Sequence, residues 1–248
     1  MIKHQVNKII PFVTVILVLS VVIYYVYSNI APAKSFFEGQ ELTVQLNKIS
    51  TERSVKEILE VIYLDDIRVY IPFVTNKDEY GASLWEWKKN KWNAIGHYNH
   101  STPFVWSNEN GEETYFVWNI DPKDEIQSMN FFLIRDRGYY ITDNGKEKIE
   151  RYDPKIQLSY EVSDMKHTYG VVPVPKEWET ISEYYRNTAD GEGSLFSYPT
   201  SKYLKFGWIP YDESGEEAYA FHSSHGGGFR YDSYYLHFME YVSEYDIE

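Results

Sequence analysis

The chain contains no cysteine among its 248 residues. This absence excludes a disulfide framework, a cysteine-ligated zinc site, a cysteine nucleophile and an acylated-cysteine lipid anchor. Glycine and proline, with 14 and 10 residues, are too few for a collagen-like or low-complexity chain. Because 43% of the residues are apolar, a packed core is expected, and it must hold together without disulfides.

Basic residues are outnumbered by acidic residues outside the N-terminus. Lys3 and Lys8 are the only charged residues within positions 1–33, so the remainder holds 22 of the 24 basic and all 37 acidic residues, a net charge of −15. Such a surface repels phosphate backbones, which excludes nucleic acid as a partner. The same balance argues against binding of the domain face to anionic lipid.

One long segment lacks charge entirely. Ile9 to Ile30 is an apolar run of 22 residues, and as a helix it would span about 33 Å, against about 30 Å for a hydrocarbon core. Three tyrosines near its far end suit the headgroup boundary. We predict a transmembrane helix at residues 9–30, between an N-terminal tail of residues 1–8 and a linker of residues 31–40.

The flanking charges predict the orientation of this helix. Lys3 and Lys8 precede it, whereas Glu38 and Glu41 follow soon after, so the positive-inside rule places residues 1–8 in the cytoplasm and the C-terminal domain outside. The alternative is a signal peptide cleaved near Ala33, since Ala31-Pro32-Ala33 fits a small-x-small cleavage pattern. The apolar run is longer than a usual signal-peptide core, and both readings predict export.

Residues 41–248 are predicted to form one mainly β extracytoplasmic domain. Apolar and polar residues alternate from Glu41 to Ile49, which predicts a strand. Ser54 to Tyr63 has apolar residues at helical spacing and a Ser-x-x-Glu start, which favours a helix, although its β-branched residues leave a strand open. The region 83–95 predicts a hairpin with a two-residue loop at Lys89-Asn90, which places Trp87 opposite Trp92.

Further strands follow along the chain. Asn110-Gly111 and Asp143-Asn-Gly145 predict turns, and Gly170 to Pro175 cannot be a central strand because two prolines lack the hydrogen-bond donor. A short helix is predicted from Pro175 to about Asn187. The other expected strands are Tyr115–Ile120, Met129–Ile134, Tyr139–Thr142, Lys155–Val162, Tyr203–Trp208, Glu217–His222 and Tyr234–Val242. The fold class is therefore an antiparallel sandwich or curled sheet with one or two short helices. A division of this domain into two sub-lobes, at residues 41–165 and 170–248, is also compatible with the pattern.

The candidate ligand-binding residues lie in one glycine-rich stretch near the C-terminus. Backbone N–H groups, the histidines and an arginine there could hold an anionic group. The residues are His222, His225, Gly226, Gly227, Gly228 and Arg230. The sequence around His225 also matches the oxyanion element of esterases, but no G-x-S-x-G nucleophile elbow follows it.

Two His-x-x-His pairs, His97/His100 and His222/His225, invite a metal hypothesis. In strand or loop context this odd spacing points the two rings of a pair to opposite faces. No catalytic residue, metal ligand set or cofactor is therefore predicted.

The aromatic residues suggest a different role. Aromatic rings stack on the apolar faces of sugars, and seven tryptophans and 24 tyrosines are present, although such rings more often pack a β core. The leading hypothesis is a non-enzymatic module that binds a partner protein or a cell-wall glycan near the membrane. The alternatives are a metal- or anion-binding site or enzyme at residues 222–230, and a structural subunit of a membrane complex.

Overall fold

The computed structural model describes residues 14–22, 32–50, 53–100, 102–107, 113–143, 148–163, 165–189, 204–224, 228–230 and 235–247. Residues 14–22 are helical. Within the ranges just given, no helix combines the length and apolar character that crossing a membrane requires. The rest of the predicted transmembrane segment and the Asn110-Gly111 turn lie outside these ranges.

The remaining elements are mostly short strands. In chain order they are α1 (Gly39–Ile49), β1 (Val55–Ile58), β2 (Ile62–Tyr63), β3 (Arg68–Thr75), β4 (Tyr80–Lys88), β5 (Lys91–Tyr98), β6 (Phe104–Ser107), β7 (Thr114–Asn119), β8 (Ser128–Arg135), β9 (Gly138–Asp143), β10 (Lys148–Asp153), β11 (Ile156–Val162), β12 (Tyr169–Pro173), α2 (Lys176–Ala189), β13 (Lys205–Tyr211), β14 (Gly228–Arg230), β15 (Tyr235–Phe238) and β16 (Glu240–Tyr241). Three-residue 3₁₀ helices occur at Pro122–Asp124, His222–Ser224 and Glu244–Asp246.

The strands form three larger sheets and one separate hairpin. The front sheet has the order β1-β3-β4-β5-β14, with β2 also paired to β3. The middle sheet is β12-β7-β6-β15, the back sheet is β11-β8-β13-β16, and β9 and β10 form a two-stranded sheet. All pairs are antiparallel except β13 with β16. The predicted mainly β, antiparallel class is confirmed.

The middle sheet packs against the other two sheets, one on each of its faces, because side chains alternate along its strands. On β7, Val117 packs toward the front sheet in one apolar cluster, whereas Phe116 and Trp118 pack toward the back sheet in another. A third cluster covers the outer face of the front sheet, where Leu42 and Leu46 of α1 are buried. The stack thus has one more sheet layer than a sandwich, with α1 on the outer face of the front sheet and Trp178 of α2 packed into the cluster between the middle and back sheets.

Proline at position 72 shows how the front sheet accommodates a residue that cannot donate a hydrogen bond. β3 is fully buried and central, yet Pro72 lies where β1 ends and β2 has not begun. Its carbonyl accepts from Leu59 N at 2.9 Å. The break between β1 and β2 therefore falls at the position where no donor is available.

Two predictions for the start of the domain were wrong. Residues 39–49 form helix α1, not a strand, because Leu42 and Leu46 satisfy an i, i+4 spacing as well as alternation, while Val44 is left 45% exposed. Residues 55–63 form β1 and β2, not a helix. Pairing with β3 outweighs the local helical pattern there, as in Val55↔Thr75 and Ile62↔Tyr70.

Other predictions were confirmed in this part of the chain. Trp87 pairs directly with Trp92 across a loop at Lys89 and Asn90, both of which have positive φ (55° and 59°) as a type I′ turn requires. β12, which ends at Pro173 within the segment predicted not to be a central strand, lies at the edge of its sheet. β9 and β10 pair as a hairpin around residues 144–147, which lie outside the described residues.

The C-terminal strands differ from expectation. The predicted strand Glu217–His222 makes only a single bridge, Tyr211↔Glu217, and its last residue begins a 3₁₀ helix. The predicted strand Tyr234–Val242 is split between β15 in the middle sheet and β16 in the back sheet. The division into two sub-lobes stays a prediction.

Candidate ligand-binding surface

The stretch containing the candidate residues is held at both of its ends. His222 begins a 3₁₀ helix, and Gly228 to Arg230 form β14, which pairs with β5 so that Phe229 lies opposite His97. The intervening His225, Gly226 and Gly227 lie outside the described residues. Of the candidate side chains, the structure therefore places only that of His222, which is exposed and contacts the Phe221 ring at 5.5 Å.

A buried carboxylate fixes the beginning of this stretch. Asp124 accepts hydrogen bonds from His222 N and Ser223 N, both at 2.9 Å, and from Ser223 Oγ at 2.5 Å. Ser223 Oγ in turn accepts from Asp121 N at 3.1 Å, and Thr102 Oγ1 donates to the Ser223 carbonyl at 2.9 Å. Because Ser223 has no exposed surface and its hydroxyl is already engaged, this group stabilises the fold and is not placed to attack a substrate.

Both histidines of the first pair, His97 and His100, are largely removed from solvent. His97 is buried and its ring stacks on Phe73, with centroids 4.9 Å apart and planes at 10°. Burial lowers the pKa of His97 and of His100 to about 4, so both are neutral at pH 7. No group of three histidine, aspartate or glutamate side chains able to hold a metal occurs among the residues that the structure describes.

The tryptophans considered for sugar stacking belong to the core. Trp85, Trp87 and Trp92 pack in the cluster under α1 with at most 9% of their surface exposed, and Trp106 and Trp118 are buried on the middle sheet. Rings buried in this way cannot present a face to a glycan. A sugar-stacking role would therefore require other aromatic rings.

Three other aromatic rings do form an exposed group, which we call the aromatic patch: Tyr219, Phe221 and Tyr241. Their exposed fractions are 72%, 57% and 42%. Tyr219 lies 6.0 Å from Tyr241 in an edge-to-face arrangement and 6.4 Å from Phe221. Contiguous exposed apolar rings of this kind are unusual on a protein surface without a binding role.

A carboxylate supports the patch from one side. Glu217 accepts hydrogen bonds from the Tyr241 hydroxyl, from Ser243 Oγ at 3.2 Å and from Glu244 N at 3.0 Å. Burial raises the pKa of Glu217, but these hydrogen bonds prevail and lower it overall. Burial, followed by the bond to Glu217, raises the pKa of Tyr241. The Tyr241 ring is thus held in one orientation by a charged acceptor.

An acidic cleft of about 620 Å³ adjoins the same segment of chain. It is lined by Pro122, Glu125, Gln127, Asp212, Glu213 and Ser214. Glu125 adopts a left-handed backbone conformation (φ 52°), and the Ser214 hydroxyl, as the largest contribution, lowers the pKa of Asp212. From this cleft the chain continues directly into the aromatic patch, so acidic and aromatic side chains follow one another along residues 212–221.

Sequence reasoning missed the aromatic patch. In Ala218-Tyr219-Ala220-Phe221 the small residues face inward, with Ala220 5% exposed, and the large rings face solvent. The alternation of small and large residues was a usable signal, but hydrophobicity alone predicts that the rings point inward. No protein-family model, curated protein or solved structure matches this chain.

Proposed function

We propose that this chain is a single-pass membrane protein whose exported β domain is a non-enzymatic module that binds a cell-wall glycan through the aromatic patch. The observation that carries the binding role is the group of three exposed rings, Tyr219, Phe221 and Tyr241, one of them oriented by Glu217. Aromatic faces complement the apolar faces of sugars, and carboxylates and hydroxyls beside them complement sugar hydroxyls.

The N-terminal segment supports the membrane part of the proposal. Residues 15–19, 21 and 22 are apolar, and about half or more of each side chain is exposed. These residues cover every side of the helix. A helix that is apolar on every side suits hydrocarbon better than water. With Lys3 and Lys8 before the segment, the domain lies outside the cytoplasm, either anchored or released by cleavage near Ala33.

Extraction and mass measurement separate the two forms of export. An uncleaved anchor keeps the full-length mass and remains in membranes washed with alkaline carbonate, whereas cleavage gives a soluble product that begins near Lys34. Recovery of full-length protein in the carbonate supernatant would contradict the anchor.

Binding to purified wall glycan tests the module. Replacing both Tyr219 and Phe221 with alanine should weaken binding at least tenfold, because aromatic hot-spot residues commonly contribute more than 1.4 kcal/mol. The matched control is Tyr184→Ala, which removes a ring that is 64% exposed on α2. Equal glycan binding by wild type and the double variant would exclude the patch as the glycan site.

The separate hairpin favours a second candidate function, the binding of a partner protein. Tyr139 lies directly opposite Tyr152, and both rings are more than half exposed, as is Ile141 on the same face. A two-stranded sheet is only marginally stable alone, so covering this face would stabilise it. Loss of a co-purified partner on replacing Ile141 with lysine, with Tyr219→Ala as control, would support this role; unchanged co-purification would exclude it.

A further inference from the structure

The segment that follows the apolar N-terminus is packed against the domain. Phe36 is 3% exposed, and its ring lies 4.9 Å from Trp92 and 5.7 Å from Trp85. Trp92 Nε1 donates a hydrogen bond to the Lys34 carbonyl at 3.0 Å. The chain therefore enters the domain at the Trp87–Trp92 end of the β4–β5 hairpin.

The turn at this end of the hairpin is basic. Lys89 and Lys91 are exposed, and so is Lys34 on the neighbouring segment. No carboxylate of a described residue lies within ion-pair distance of these three ammonium groups. Asn93 Nδ2 donates to the carbonyls of Lys88 (3.0 Å) and Lys91 (2.9 Å), which fixes the turn in place.

Apolar and aromatic groups accompany the lysines. Ile67, which is 42% exposed, accepts a hydrogen bond from Trp87 N through its carbonyl at 2.7 Å. Tyr63, 56% exposed, contacts Phe36 with ring centroids 6.5 Å apart. Lysines beside exposed aromatic and aliphatic groups are typical of a membrane–water interface. Glu38 and Asp66 are exposed acidic residues close in sequence to this surface, and the Asp65 carboxylate accepts a hydrogen bond from Arg68 Nε at 2.7 Å.

We propose that Lys34, Lys89 and Lys91 form a membrane-proximal surface that binds the phosphate groups of anionic lipids and holds the domain against the bilayer. This inference rests on the proposed membrane anchor. The net charge of −15 predicts repulsion from such a membrane, but charges act over a Debye length of only about 8–10 Å. The opposite end of β4 lies roughly 25 Å away, so its carboxylates do not cancel the lysines.

The test uses the full chain reconstituted in nanodiscs of neutral phosphatidylcholine alone or with one third phosphatidylglycerol. Because the chain has no cysteine, a single fluorophore can be placed by Ile67→Cys and its quenching by headgroup-labelled lipid measured. Quenching should be greater in the anionic nanodiscs and should fall as salt is raised. In the Lys89→Glu/Lys91→Glu variant the ratio of contacting to free domain should drop at least 25-fold, about fivefold for each lysine.

Lys77→Glu/Lys123→Glu is the matched control, because both lysines are exposed and lie near Asp78, in the turn at the opposite end of β4: Lys77 precedes Asp78 in the chain, and Lys123 interacts electrostatically with its carboxylate. Lys89→Gln/Lys91→Gln serves as the milder variant if charge reversal disturbs folding. Equal quenching in both nanodisc types, or an equal loss in the control variant, would overturn the lipid-binding surface. Failure of the full chain to insert into neutral nanodiscs would instead refute the anchor, so the two failures are distinguishable.

Discussion

The indole Nε1 of Trp92 donates a hydrogen bond to the backbone carbonyl of Lys34, 58 residues earlier in the chain. This bond, with the packing of Phe36 on the same ring, joins the predicted linker to the domain. Residues 33–38 are therefore part of the folded unit at its edge, not a free tether.

We predict that Phe36→Ala lowers the free energy of unfolding by about 3–5 kcal/mol, because it leaves a cavity between α1 and the front sheet. Trp92→Phe keeps an aromatic ring but removes the donor, and should cost about 1 kcal/mol for the lost hydrogen bond. Urea unfolding of the full chain in detergent measures both values. Phe221→Ala, at an exposed ring, is the control, and a cost for Phe36→Ala no larger than that of the control would show that the segment is not packed.

His97 should make stability depend on pH. Burial lowers its pKa from 6.5 to about 4, so the unfolded state binds more protons between these values. Stability is complete above pH 6.5 and falls as the pH drops toward 4, by about 3 kcal/mol from this residue. His97→Gln should remove that part of the pH dependence.

The measurement is the free energy of unfolding at pH 7 and at pH 4 for wild type and His97→Gln. The change in this free energy between the two pH values is compared between wild type and His97→Gln. Carboxylates that titrate in the same range contribute equally to both proteins, so their contribution cancels. A wild-type slope in His97→Gln would mean that the buried ring does not resist protonation.

Asp124 should be required for the local structure of residues 222–224. Asp124→Ala leaves two backbone N–H groups and the Ser223 hydroxyl without their acceptor, and we expect a loss of about 3 kcal/mol. Asp124→Asn retains one acceptor oxygen and should cost less. Hydrogen exchange of His222 and Ser223 amides reports the local effect, Asp136→Ala at an exposed position is the control, and unchanged exchange in Asp124→Ala would contradict the assignment.

Gly170 should tolerate no side chain. A Cβ there would lie 2.3 Å from Cζ2 of Trp118, so Gly170→Ala should destabilise the protein by about 1–3 kcal/mol. Trp118→Phe removes the ring atoms involved, so the double variant should be less destabilised than the sum of the two single variants. Additive effects in thermal unfolding would show that the clash is relieved by other movements.

Much of the β architecture could be predicted because it depends on short-range patterns. The Lys89-Asn90 turn fixed the Trp87–Trp92 pairing, and alternation placed Phe116, Trp118 and Ile120 in one cluster. Where two periodicities fitted the same residues, as at Leu42 and Leu46, the wrong one was chosen. The segment 55–63 was misassigned because its strand state depends on pairing with β3.

The candidate site was less predictable. His222 and Gly228–Arg230 are brought beside other segments by Asp124 and by β5, neither of which the local sequence reveals. The aromatic patch was missed because its rings face solvent while Ala220 faces the core. Prediction from composition assigns large rings to the interior, whereas the sheet face that each residue meets decides the outcome.

The sequence by itself determined the mainly β class, the absence of cysteine chemistry, the hairpin between β4 and β5, and the edge position of β12. These follow from composition, turn residues and two-residue periodicity, all of which act between near neighbours. Only the tertiary structure decided that α1 is a helix, that Tyr219 and Phe221 are exposed, and that Lys89 and Lys91 lie on the side of the domain where Lys34 enters. Those features depend on contacts between segments tens of residues apart, and no local pattern encodes which surfaces such contacts will bury.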